Sequence, residues 1–170
     1  MNVFRKISTK NHQSYIHSLG CNYSYENLNK DADKFSRLSL NRPLVLIVAN
    51  NSYECLAFYV GMLRANAVVA LVNDSIHESV LVDLILNFKP SLIYIPKNLF
   101  KIENNWREVV KFGNYVLYET KIKIDYVLND ELSTLLMTSG STGSPEFVRL
   151  SHANIYSNTK SICEYLKCFG

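Results

Sequence analysis

The sequence has no CxxC pair and no cysteine and histidine grouped at metal-ligand spacing; Cys21, Cys55, Cys163 and Cys168 stand apart. That argues against a structural metal site and predicts reduced, buried thiols in a cytoplasmic protein. A secretory leader is lacking as well, since residues 1–20 carry Arg5, Lys6 and Lys10 where an apolar core would be needed. No apolar run is long enough to span a bilayer. The longest apolar region, Leu44 to Val72, is broken by Asn50, Asn51, Glu54, Arg64 and Asn66, and reads instead as strand, helix, strand. Charge of one sign is also in short supply. Eighteen basic and 15 acidic residues leave a net +3, scattered and without a stripe, so no nucleic-acid partner is implied. No internal repeat is present.

What is there reads as one core: 170 residues, 48% of them apolar. Ser24 is placed to cap a helix whose Leu28, Ala32 and Phe35 share a face, and Pro43 closes that unit. Leu44 to Ala49 is a continuous apolar run of the kind found in strands buried on both faces, and Asn50-Asn51-Ser52 supplies a turn with a cap for a helix from about Tyr53 to Ala65. Ala67 to Val72 repeats the strand pattern. Ser75-Ile76-His77-Glu78 has capping-box spacing for a helix to about Phe88, which Lys89-Pro90 ends, and Ser91 to Ile95 forms a third short run. This alternation predicts an α/β fold, a parallel sheet wound with helices. Lys97 to Glu131 is polar and irregular, with Trp106 and a strand expected at Tyr115 to Tyr118. Ser151 is placed to cap a last helix with Ile155, Ile162, Leu166 and Phe169 at helical spacing.

The most informative stretch is Leu135 to His152, LLMTSGSTGSPEFVRLSH. Three apolar residues run into seven small ones, Thr138, Ser139, Gly140, Ser141, Thr142, Gly143 and Ser144, followed by Pro145 and a short apolar segment. The glycines can take positive φ and admit a ligand to the main chain, while five hydroxyls stand beside free N–H groups. Such a loop suits phosphate oxygens. Taken alone, such a Gly/Ser/Thr-rich segment between periodic elements is more often a plain connector. It is not of the Walker type, because no Gly-Lys-Ser/Thr follows Gly140 at the required spacing.

TSGSTGSP followed by a strand and LSHANI resembles the signature loop of the adenylate-forming enzymes: acyl-CoA synthetases, adenylation domains of peptide synthetases, and luciferase. The resemblance extends to Tyr23-Ser24-Tyr25-Glu26-Asn27-Leu28, to Val45 through Ser52, and to Leu63 through Val72, in matching order and spacing. It implies that Thr138 to Ser144 hold the β- and γ-phosphates of ATP while a carboxylic acid attacks the α-phosphorus. The products would be an acyl-adenylate and pyrophosphate, with Mg2+ as the required ion. It further implies that residues 1–170 are a single partial domain, the first part of a large N-terminal domain. The family's later motifs for adenine, ribose and magnesium, and its mobile C-terminal domain, are absent from this sequence. The isolated chain is therefore expected to be inactive, and its uncovered apolar face and sheet edge to favour self-association or pairing with the missing remainder.

The loop departs from the family pattern where lysine and glycine usually follow the proline; here stand Glu146 and Phe147. Glutamate turns attraction for a polyphosphate into repulsion, and Arg149, three residues on, is the candidate to compensate. His152 is read as a packing or hydrogen-bonding residue at a helix start. Two functions of different class follow: part of an ATP-dependent acid ligase, or an inactive remnant serving as a binding or interaction module. The acid and the acyl acceptor are not legible.

Overall fold

Runs that are apolar at every position need cover on both faces, and the chain provides it with helices on either side of one sheet. The computed structural model describes residues 4, 15–38, 41–99, 106–138 and 146–167. In chain order these form β1 (Tyr15–Ser18), β2 (Cys21–Ser24), α1 (Tyr25–Ser36), β3 (Leu44–Ala49), α2 (Tyr53–Arg64), β4 (Val68–Asn73) and α3 (Glu78–Phe88). There follow β5 (Leu92–Pro96), β6 (Arg107–Phe112), β7 (Tyr115–Glu119), β8 (Leu132–Thr138), β9 (Glu146–Ser151) and α4 (His152–Tyr165). β1 and β2 make a two-stranded ribbon; the rest form a seven-stranded sheet in the order β6-β7-β5-β3-β4-β8-β9. Its centre, β5-β3-β4-β8, is parallel, as expected for an α/β protein, and β7, β6 and β9 add to the two sides antiparallel.

The strand alternation sorts the core into two layers. Val45, Ile47, Val69 and Tyr94 pack with Phe35, Phe58 and Met62 of α1 and α2, whereas Leu46, Val48, Ala70 and Ile93 pack with Leu81, Leu84 and Ile85 of α3. Each fully buried aliphatic or aromatic side chain contributes about 1.5–3 kcal/mol relative to exposure, so these central strands anchor the molecule. α1 starts at Ser24, whose Oγ accepts from Asn27 N at 3.1 Å while the Asn27 side chain accepts from Ser24 N at 3.0 Å. Its Leu28, Ala32 and Phe35 are buried as the spacing predicts. At the α1–α2 crossing Gly61 lies over Ala32 and Phe35, and the two backbones meet without a side chain between them.

Several expectations are corrected. Ser75 does not cap α3: its N–H and hydroxyl both donate to Asn73 Oδ1, at 2.8 and 2.6 Å, in a turn that ends β4. His77 is the cap, with its ring nitrogen facing Ser79 N. The segment 97–131 is less irregular than its polarity suggests, since it holds β6 as well as β7, joined through Gly113 at φ 55°. The β1–β2 ribbon was likewise unanticipated, turning through Leu19 and Gly20 at φ 49° and 79°. α4 forms and is capped by Ser151, but it has no buried residue; Ile162 and Leu166 are exposed, and Phe169 lies outside the described residues. Of the thiols, Cys55 is buried, Cys21 is exposed, Cys163 is half-buried and Cys168 lies outside the described residues.

Candidate functional site

Strand β8 carries the small-residue run to the carboxyl end of the sheet, the end at which open parallel sheets bind ligands. It pairs with β4 only from Val69↔Thr134 to Leu71↔Leu136. On its other side it stays paired with β9 through Met137↔Phe147 and Thr138↔Glu146. Beyond Leu136, then, β8 keeps β9 and leaves β4. The gap is a cavity of about 480 Å³, lined among others by Asn50, Asn51, Asn73, Asp74, Leu136 and Met137.

Thr138 and Glu146 form the base of the loop. The Thr138 hydroxyl donates to the Glu146 carbonyl at 3.3 Å, fixing where the chain leaves and rejoins the sheet. Ser139, Gly140, Ser141, Thr142, Gly143 and Ser144 lie outside the described residues. Glu146, at the base of the loop, is exposed. Arg149 is opposite Leu135, three residue pairs back from Thr138↔Glu146. At about 3.3 Å per residue that is roughly 10 Å from the loop base.

The cavity adds residues that the sequence reading did not assign to a site. Asn50 and Asn51 follow β3, Asn73 and Asp74 follow β4, and all four bring amide or carboxylate oxygens to one place. Their signal was position: polar residues just after an apolar parallel strand. Asp74 is the one carboxylate among the described residues of this cavity, and no group of three His, Cys, Asp or Glu able to hold a metal occurs among the described residues. These residues do not fit a magnesium site of their own. Beneath the site Cys55 is buried at the start of α2, and burial pushes its thiol up to about 11, which leaves it protonated and unreactive at neutral pH. Tyr115 donates to Val48 O at 3.1 Å and holds the end of β3 in place.

His152 has the supporting role expected of it. Its Nδ1 is 3.4 Å from Ser133 Oγ, and its ring lies 6.4 Å from that of Phe4. Partial burial, with smaller contributions from positive charge that include Arg42, holds its pKa below the usual 6.5. Such a histidine takes up a proton more readily when unfolded. Its contribution is therefore complete above pH 6.5 and is lost as pH falls below that value, until the native imidazole also titrates. His152→Gln is expected to flatten this part of the stability curve, as urea midpoints at about pH 5.5 and 7.5 would show. An unchanged slope would assign the effect to another group.

A model of the AMP-binding enzyme family matches residues 5–169. The chain belongs to the AMP-binding enzyme family. Solved structures share the fold that family membership implies. Apo MatB from Rhodopseudomonas palustris matches with a TM-score of 0.70 and 19% identity over 98% of this chain and 37% of that one. O-succinylbenzoate coenzyme A synthetase (MenE) of Bacillus subtilis, solved with AMP, gives 0.60 and 14% over 84% of this chain and 40% of its own. A fatty acyl-adenylate ligase from L. pneumophila, solved with acyl adenylate and pyrophosphate, gives 0.61 and 16% over 85% and 28%. In sequence, the candidate ligase Rv1013 of Mycobacterium tuberculosis is 52% identical over 33 residues, 19% of this chain and 6% of that protein. The chain thus spans well under half the length of these relatives. No helix among the described residues is long and apolar enough to cross a membrane.

Proposed function

We propose that the chain supplies the ATP-phosphate-binding part of an AMP-forming acid ligase, as the first section of a longer N-terminal domain. The observation that carries this reading is the run Thr138 to Ser144, sprung from a strand that leaves β4 beside a polar cavity at the carboxyl end of a parallel sheet. Hydroxyls and N–H groups of that run would donate to the β- and γ-phosphate oxygens of ATP. The oxygen of a carboxylic acid would attack the α-phosphorus, and pyrophosphate would leave. The fatty acyl-adenylate ligase solved with acyl adenylate and pyrophosphate supports this choice of ligands.

The family's later motifs are not in this sequence, so catalysis would need the groups they supply. Leu136 and Val148, exposed on β8 and β9, and the outer edge of β9 are the surfaces on which further polypeptide or a second copy would pair. One observation favours a second reading, a non-catalytic binding or interaction module: an exposed carboxylate, Glu146, at the base of a polyphosphate loop. The purified chain is expected to bind pyrophosphate weakly in calorimetry and to lose that binding when Gly140 and Gly143 are both replaced by valine. It is expected to show no carboxylate-dependent pyrophosphate exchange. Exchange above background would overturn the claim of inactivity, and binding indifferent to the glycines would overturn the loop assignment.

A further inference from the structure

A second cavity, of about 570 Å³, lies at the other end of the sheet. It is bounded by the last turn of α3, the first residues of β3 and β8, the segment 126–132 and the β9–α4 junction, all within this chain. Its floor is apolar: Leu44, Phe88 and Leu135 face into it. Leu135 is the register partner of Arg149, and directly opposed residues of an antiparallel pair share a face, so the Arg149 side chain leaves the sheet on the α3 side, while Arg149 also borders a cavity of about 430 Å³ with Tyr59 and Leu136. Nearer the loop on that face Phe147 meets Phe88 edge-on, with ring centroids 5.0 Å apart, and stands between Arg149 and the loop base.

Arg149 makes no ion pair or hydrogen bond among the described residues, and neither does the Asn87 side chain on the α3 wall. An always-charged fork and an uncommitted amide, both bordering an apolar cavity of this size, are the makings of a small-molecule site. Glu131 also lines it. Its negative charge opposes a dianionic head about twice as strongly as a monoanionic one.

We propose that this cavity binds a single-tailed amphipathic monoanion, a medium-chain fatty carboxylate, with its head on Arg149 and Asn87 and its tail on Leu44, Phe88 and Leu135. The site is separate from the loop. Arg149 and Leu135 are three residue pairs, roughly 10 Å, from the loop base, and the rest of the cavity extends away from the loop toward Leu132, so the ligand would not overlap bound phosphate.

Calorimetric titration of the full chain with decanoate tests the assignment. One binding event is expected, weakened about tenfold by Arg149→Gln, the effect of one charged hydrogen bond in a partly solvated site. Val127→Asp should also weaken it; Val127 is 98% exposed at the cavity mouth, so the fold should survive, as an unchanged thermal melt would verify. Decanol, which lacks the charge, should bind more weakly, and pyrophosphate should not displace decanoate. Absence of decanoate binding by the folded chain, or binding indifferent to Arg149→Gln, would overturn the site. Displacement by pyrophosphate would overturn its separation from the loop, and tighter binding of decyl phosphate would overturn the carboxylate assignment.

Discussion

Replacing Gly61 by alanine is expected to destabilise the chain by about 3 kcal/mol, although alanine is ordinarily the better helix former by about 1 kcal/mol. The reason is contact at the α1–α2 crossing. A Cβ built on Gly61 would lie 2.6 Å from Phe35 Cβ and 2.7 Å from the Ala32 carbonyl oxygen. Neither neighbour can turn away, since one is a carbonyl of the facing helix and the other is attached directly to its backbone. The helices must separate, and with them the ring of Phe35 from Phe58, now edge-to-face at 5.0 Å. For a chain of this size such a loss would lower the melting temperature by about 6–12 °C. Urea unfolding with an unchanged slope and a lower midpoint would confirm it. A variant as stable as the parent would show that α1 and α2 have room to spare.

That crossing was not legible in the sequence, and the contrast with the central strands shows why. Leu44 to Ala49 and its counterparts are apolar at every position because both faces are covered, and this property survives in a one-dimensional reading. Gly61 looks like a weak point in a helix until the neighbour is known. Strand β6 escaped notice because Arg107, Glu108 and Lys111 dilute its apolar pattern, as suits a sheet edge that must not recruit another strand. The β1–β2 turn was hidden for a different reason: Leu19 occupies a positive-φ position where asparagine or glycine would have announced a hairpin. α4 reversed the problem. Its apolar spacing predicts a face to be covered but cannot say what covers it, and among the described residues nothing buries it.

The same distinction runs through the candidate site. The small-residue loop announces itself by composition, because hydroxyls and glycines in sequence are themselves the chemistry. Asn50, Asn51 and Asp74 come from separate turns and converge only once β4 lies between β3 and β8. Arg149 shows the limit of counting along the chain. It is three residues from Glu146, but its partner is Leu135, and the face it occupies belongs to the cavity at the far end.

Glu146→Lys is expected to strengthen binding of pyrophosphate by five- to thirtyfold, about 1–2 kcal/mol, and the gain should shrink as salt rises. Glu146 is held in register with Thr138, its carbonyl accepts the Thr138 hydroxyl, and its side chain is exposed. A carboxylate there repels a polyphosphate seated in the loop. Two unit charges 4 Å apart interact by about 4 kcal/mol at an effective dielectric near 20, and water at an exposed position reduces that severalfold. Glu146→Gln, which removes repulsion without adding attraction, should give about half the gain. Calorimetry on the three forms at low and high ionic strength separates the outcomes. Equal affinities would mean that the residue 146 side chain faces away from the phosphates. No binding by any form would sink the phosphate reading for this chain and leave the interaction module. Stepwise improvement from glutamate to glutamine to lysine would identify a competent phosphate cradle with one unfavourable side chain at its base.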